Sequence, residues 1–452
     1  MRWFLVLFLV AVIAAVVVGA WPRMEDEAPL LEGPASVELG VAGASHTLRW
    51  SDAGTGLRKV EAYLELGDAT VSEDGAEVPP KRIVLHENRW RGTTLSGPPL
   101  PTETEQAAVT LDATKLGLQD GSATLVLAAR DWSWSDGFEG NASELRIPVT
   151  IDRKAPTLSA VSGLTYVRRG GSAAVVYRAG EDAASSGVRV GDAFFPGIAT
   201  GGGASLAVFA IPIDAPAGPD VRVVAMDAFG NEATARFDVR VQEKNFAETS
   251  IGLSDRFLDR VAVRLGEASG MTEATPLATF QRVNSELREK NEAVIADAIG
   301  APTPKQWEGG FAQMRNSSVT SQFAELRHYT SGGARVSIAR HYGYDLASTG
   351  HAPITASNGG TVIYAGDNGI YGTLVLIDHG LGITTLYGHL SSLAVAVGDR
   401  VEKDQKLGRS GATGLAGGDH LHFAVLVGET YVDPIEWWDP KWVDEHIDAR
   451  LP

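Results

Sequence analysis

Between residues 32 and 152 apolar and polar side chains alternate in runs too short for helices, and turn residues break them every few positions. Val60, Ala62, Leu64 and Leu66 make one such run; Leu145, Ile147, Val149 and Ile151 make another. A period of two puts one row of side chains on a buried face and the other in solvent, which predicts antiparallel strands. Glycine supports this: 51 of 452 residues, about 11% against a usual ~7%, supply the turns that many short strands need. Residues 153–243 repeat the style and part of the wording. Ala129-Arg130-Asp131 followed by Gly140-Asn141 is echoed by Ala225-Met226-Asp227 followed by Gly230-Asn231. Two tandem immunoglobulin-like β-sandwich modules, 32–152 and 153–243, account for the echo. Neither shows residues arranged for chemistry, so their expected role is spacing or docking.

Other periods frame this β-rich stretch. Trp3 to Ala20 are 18 residues without a charge, near the ~20 that span a bilayer as a helix and longer than the ~7–15 of a signal-peptide core. Segment 1–31 is therefore read as a transmembrane anchor, with a signal peptide cleaved after Val18-Gly19-Ala20 as the alternative. Arg2 before the span and Glu25, Asp26 and Glu27 after it put the remainder of the chain outside the cytoplasm. After Lys244 a helical period takes over through Leu253, Phe257, Leu258, Val261 and Leu265. A second helix starts at Thr275 as cap with Pro276 in its first turn, carries a Glu286–Lys290 pair, and stops at Gly300. Residues 244–302 thus read as a helical hairpin. From Thr303 the β signals return at Thr361–Gly366, Thr373–His379, Ile383–Leu390 and Leu421–Val427. The expected fold is mainly β: an N-terminal transmembrane helix, two sandwich modules, a helical hairpin and a C-terminal antiparallel β domain over 303–452.

Composition narrows the chemistry. Lys and Arg number 39 against 56 Asp and Glu, a net charge of −17 that repels phosphate backbones and excludes nucleic acid as the expected partner. There is no cysteine, so disulfides, thiol nucleophiles and thiolate-bound zinc are excluded. Any metal must sit on imidazole and carboxylate. Seven of the ten histidines fall between positions 328 and 422. His341 and Asp345 form an H-x3-D pair, His389 lies in Tyr387-Gly388-His389-Leu390, and His420 and His422 form an H-x-H pair entering a strand. Strand alternation aims both imidazoles of that pair one way while Leu421 and Phe423 face the core. Neutral imidazole and carboxylate suit zinc, and three protein ligands with an open fourth position make a catalytic site. His379 is read as a turn residue, His351 as a loop residue and His446 as surface; His46 and His86 belong to the first sandwich.

These motifs, in this order and spacing, resemble the lysostaphin-type zinc metallopeptidases that cleave peptidoglycan peptides. Gly359-Gly360-Thr361-Val362, Tyr371-Gly372, Val397-Gly398-Asp399-Arg400-Val401 and Val432-Asp433-Pro434 match as well, and the likeness covers about 310–440. It implies one Zn2+ per chain on His341, Asp345 and His422, with His389 and His420 as catalytic histidines around a metal-activated water. It leaves open which of the two is the base. Tyr371 is either a further donor or a packed aromatic. One departure is Ala324 after Phe323, where many members have Gly, which bears on the backbone path into the domain. The function implied is a zinc endopeptidase cutting cross-links or stem peptides of peptidoglycan, held in the inner membrane of the bacterial envelope, its sandwiches free to meet envelope proteins. A catalytically inactive relative that activates a cell-wall amidase is the alternative. A biotinyl- or lipoyl-type carrier shares the Val-Gly-Asp-x-Val turn but lacks, here, its Met-Lys hairpin.

Overall fold

The computed structural model describes residues 21–67, 70–71, 77–78, 80–93 and 101–451, with Phe8, Val10 and Ala11. The expected span 3–20 lies, apart from those three positions, outside the described residues. Among the described residues no helix is long and apolar enough to cross a membrane. The chain divides into two compact units, one of residues 1–155 with 226–232, the other of 156–225 with 233–452.

In the first unit a three-stranded sheet runs in the order Leu30–Glu32, Ala44–Ser51, Thr104–Leu111. A five-stranded sheet runs Val37–Leu39, Ala142–Ile151, Gly121–Asp131, Leu57–Leu66, Lys81–Arg89. Leu39, Leu48, Trp50, Leu64, Leu111 and Leu125 fill the core they share. The alternation in Leu57–Leu66 is incomplete, since Glu65 is buried beside Leu64. Its carboxylate is satisfied by Arg82 at 2.8 Å and Arg146 at 2.5 Å. The echoed Asp and Asn residues prove to be turn clamps. Asn141 donates its backbone N–H to Asp131 Oδ1 at 2.7 Å and its side chain to Oδ2 at 2.9 Å. Asn231 does the same to Asp227, at 2.8 Å for both bonds.

In the second unit the strands Leu158–Ala160, Ser172–Ala179, Ala204–Ala210 and Ile198–Gly201 form one sheet, and Thr165–Arg168 pairs in parallel with Val239–Gln242. This sandwich shares a single core with the C-terminal strands: Tyr177 and Phe209 belong to the same buried cluster as Trp437, Trp307 and Phe311. Trp437 Nε1 donates to Ser172 Oγ at 3.2 Å, and Ser172 N donates to Glu436 Oε2 at 2.9 Å.

The helical stretch opens later than its period suggests. Glu248–Gly252 is a strand, parallel to Leu326–Ser331, and helix begins at Asp255 behind the Ser254 cap. Thr275 caps the second helix by accepting from Ala278 N at 3.2 Å, with Pro276 in its first turn. Helix continues through a π-helical turn, Val283–Leu287, and ends at Ala298. Glu286 is not paired with Lys290: Arg282, four residues before it, takes its carboxylate at 3.0 Å. A guanidinium donates in a fixed fork, and Arg282 spans both Glu286 and Glu273.

The C-terminal sheet runs Ser318–Ser321, Tyr344–Ala347, Leu421–Val427, Ile383–Leu390, Thr373–Asp378, Gly360–Asp367, Arg400–Val401. Leu421–Val427 and Ile383–Leu390 are buried at every position because both faces are covered. Phe423, Val425 and Val427 enter the large core. Ala424 and Leu426 pack with Val283, Leu287 and Ile295 of the hairpin. By alternation His420 and His422 share that second face, so the hairpin roofs the side of the sheet that carries the histidines.

Candidate metal centre

Register brings the histidines together. Asp345 sits opposite His422 on one side and Gly388 opposite it on the other, so one strand carries its imidazole between the two neighbouring motifs. His341, just ahead of the Tyr344–Ala347 strand, completes the group. His341 Nε2 lies 2.9 Å from Asp345 Oδ1, His422 Nδ1 lies 3.0 Å from the same oxygen, and the two nitrogens are 3.0 Å apart. His341 and His422 are 5% and 4% exposed and Asp345 8%.

These donors fit a cation. His341 Nδ1 donates to the Gln322 carbonyl at 2.9 Å, which turns its Nε2 toward Asp345 and His422 as the ligand atom. Converging lone pairs repel unless a proton or a metal lies among them. The edges of this triangle are near the ~3.3 Å separating corners of a tetrahedron with bonds of ~2.0–2.1 Å, the zinc range. Burial pushes the Asp345 carboxyl up, but the imidazoles of His341, His420 and His422 gathered around it outweigh burial and hold it well below the usual range. Burial draws the His422 ring down to about 4, which leaves a neutral ligand at pH 7.

Two residues place these groups without touching them through the open side. Arg327 Nη2 donates to Asp345 Oδ2 at 2.7 Å, so Oδ1 alone faces the imidazoles. Arg327 has one signal in the sequence, the charge pair Glu325 and Arg327 two positions apart where the Leu326–Ser331 strand begins, and that pair does not point to the site. Gly343 backs His422. A Cβ there would stand 2.9 Å from His422 Cε1 and 2.4 Å from the Phe423 carbonyl oxygen.

His389 and His420 stand beside the triangle. Their rings are 4.7 Å apart, and His420 Nε2 is 3.5 Å from Asp345 Oδ1. Each spends Nδ1–H on a backbone carbonyl, His389 on Thr413 and His420 on Gly418, both at 2.8 Å. That fixes the tautomer and leaves Nε2 of each as an acceptor. Burial, reinforced by His420 and His422, draws the His389 ring down to about 3. Burial acts the same way on His420, but Asp345 overrides it and the ring is raised. His389 holds φ at +63°, a left-handed conformation uncommon outside glycine. The cavity in front of these groups has a volume of about 330 Å³ and extends past Arg327 and Arg340 to Arg288 of the hairpin.

The remaining expectations divide. Tyr371 is the packed aromatic: its hydroxyl donates to Glu292 of the hairpin at 2.5 Å. His379 lies where the chain turns after the Thr373–Asp378 strand, and it is fully buried there, held by the Gly359 carbonyl and Thr385 Oγ1, each at 2.6 Å. His351 is exposed on its loop. Ala324 holds φ at +62°, which is why glycine is the easier residue there.

Comparison with known proteins gives this site its family. Residues 339–434 match the family model Peptidase family M23 and form a lysostaphin-type M23 metallopeptidase domain. The chain is similar to the DD-carboxypeptidase/endopeptidase Mpg of Neisseria meningitidis serogroup B, 37% identical over 95 residues, 21% of this chain and 22% of that protein. It is also similar to the peptidoglycan DD-endopeptidase ShyB of Vibrio cholerae, 27% identical over 201 residues, 44% of this chain and 42% of that protein. The chain thus spans less than half the length of these curated relatives. Among solved structures, a peptidase M23 from Pseudomonas aeruginosa aligns at 24% identity and TM-score 0.38, covering 61% of this chain and 97% of that one. The catalytic domain of lysostaphin from Staphylococcus simulans aligns at 28% identity and TM-score 0.25, covering 29% and 98%.

Proposed function

We propose that the chain is a zinc endopeptidase that hydrolyses peptide cross-links or stem peptides of bacterial peptidoglycan. The observation that carries the reading is the buried triangle of His341, Asp345 and His422 with two tautomer-fixed histidines beside it. Those three residues would hold the metal. Bound there, zinc supplies a Lewis acid that lowers the pKa of water and polarises an amide carbonyl. The protein residues do the rest. His420 Nε2, raised by Asp345, takes the proton of the attacking water and returns it to the leaving amine. His389, neutral at working pH, keeps its Nε2 toward the same space and orients the water. Arg327 keeps Asp345 in a single orientation. The roof made by the hairpin limits water around the reacting groups.

The apolar run 3–20 supports single-pass anchoring in the inner membrane, with the catalytic domain in the periplasm or otherwise outside the cytoplasm. The two sandwiches, each pairing an early strand in parallel with its last one, support the immunoglobulin-like reading and a docking role toward envelope proteins. The test is to incubate the purified, zinc-loaded chain with purified peptidoglycan and weigh the released fragments. New amino termini within the peptides are expected, and chelator should stop their appearance. Intact peptides after incubation with zinc-loaded protein would overturn the reading.

A further inference from the structure

A second group of oxygen donors lies in the first unit, away from any histidine. Glu25, Asp52 and Asp131 come from a segment ahead of the sandwich and from the ends of two strands, and one carboxylate oxygen of each lies within 4.8 Å of the others. Asp131 is fully buried and Asp52 is 6% exposed. Asp52 Oδ2 is buried with no hydrogen-bond partner. Its carboxyl is pushed up to about 6, by burial first and then by the charges of Glu25 and Asp131. Like charges held this close are costly unless a cation joins them.

The rest of the site is built. Thr55 N donates to Glu25 Oε1 at 2.6 Å, and Ser133 N donates to Asp131 Oδ1 at 2.9 Å. The Glu25 carbonyl accepts from Ser135 Oγ and Asn141 Nδ2, both at 3.2 Å, so its backbone is tied to the sandwich. Gly54 leaves the space: a Cβ there would lie 1.5 Å from Glu25 Oε2. Arg23, which donates to the Trp132 carbonyl at 3.0 Å, is the cation set against Glu25. Three carboxylates and one guanidinium leave a charge of −2, which one divalent ion neutralises.

We propose that Glu25, Asp52 and Asp131 bind a calcium ion that fastens the segment before the sandwich to two of its strand ends. The donors are all hard oxygens, which excludes a preference for zinc or copper. Calcium accepts an irregular set of carboxylate and carbonyl oxygens, whereas magnesium demands near-octahedral order and gives up its waters reluctantly. Among the described residues the echoed Asp227 has no such trio around it, so the second clamp stands without this site.

The test uses the full-length chain, zinc-loaded so that the imidazole site is filled, and dialysed free of calcium. Titration with calcium chloride should show one further equivalent binding below millimolar concentration, and calcium should raise the melting temperature of the first unit. Terbium in place of calcium should luminesce on excitation of the nearby tryptophans, Trp132 and Trp134. Asp52→Asn should weaken calcium binding at least tenfold. Glu25→Gln, at a half-buried position outside the core, should do the same with an unchanged fold. No uptake at millimolar calcium, wild-type affinity in both variants, or tighter binding of magnesium than calcium would overturn the assignment.

Discussion

Ala324 and Gly343 show how single backbone positions set the geometry of the centre. An L-residue in the left-handed region costs ~1–2 kcal/mol. Ala324 carries that cost and repays part of it with a fully buried methyl worth ~0.8 kcal/mol. Ala324→Gly should therefore leave stability within ~1 kcal/mol of the parent by denaturant titration; a loss above ~2 kcal/mol would show that the methyl dominates. Gly343→Ala should keep the fold but cut metal affinity at least tenfold, read by competition with a chelating dye, because the methyl meets the His422 ring and the Phe423 carbonyl. The metal-binding types were legible because chemistry limits a cysteine-free chain to imidazole and carboxylate, and because a period of two aims His420 and His422 together. Arg327 was not legible. Its partner Asp345 is 18 positions away, and the contact exists only once Leu326–Ser331 is laid beside the site.

At the scale of elements, the Pro434–Trp438 helix is where the catalytic part grips the second sandwich. Glu436 accepts from Ser172 N there, and burial pushes its carboxyl up to about 7. A carboxyl with a folded pKa of about 7 and an unfolded one of ~4.3 binds its proton more tightly when folded. The stability it contributes is complete below pH ~4.3 and is lost as pH rises through about 7, in all ~4 kcal/mol at most. Glu436→Gln should remove that fall, so a melting curve measured at pH 5 and pH 8 should shift less in the variant. An equal shift in both proteins would assign the pH dependence elsewhere. The hairpin was legible as helix through the Thr275 cap and its apolar spacing, but its role was not. Val283, Leu287 and Ile295 look like any core stripe in sequence; only the register of Leu421–Val427 shows that they cover the face holding His420 and His422. Asn291 fixes the roof to the Ile370 amide at 2.8 Å. The Glu286–Lys290 pair failed because spacing alone does not say which of two cations reaches a carboxylate first.

For the whole molecule, sequence spacing separates 153–243 from 303–452, yet Tyr177, Phe209 and Trp437 share one core, since contacts across 200 residues leave no periodic trace. That shared core predicts that the second sandwich, the hairpin and the M23 domain unfold in one calorimetric transition, distinct from that of residues 32–152. Separate transitions for 153–243 and 303–452 would contradict it. The central claim is that His422 holds the metal while His420 moves the proton, and metal content and peptidoglycan turnover measured on the same preparations test it most directly. His422→Ala should lose most of its zinc together with activity. His420→Ala should keep close to one zinc per chain and a normal fold while hydrolysis falls by a factor of ~10²–10⁴, the range for a lost general base. Zinc lost from the His420 variant and retained in the His422 variant would contradict the account.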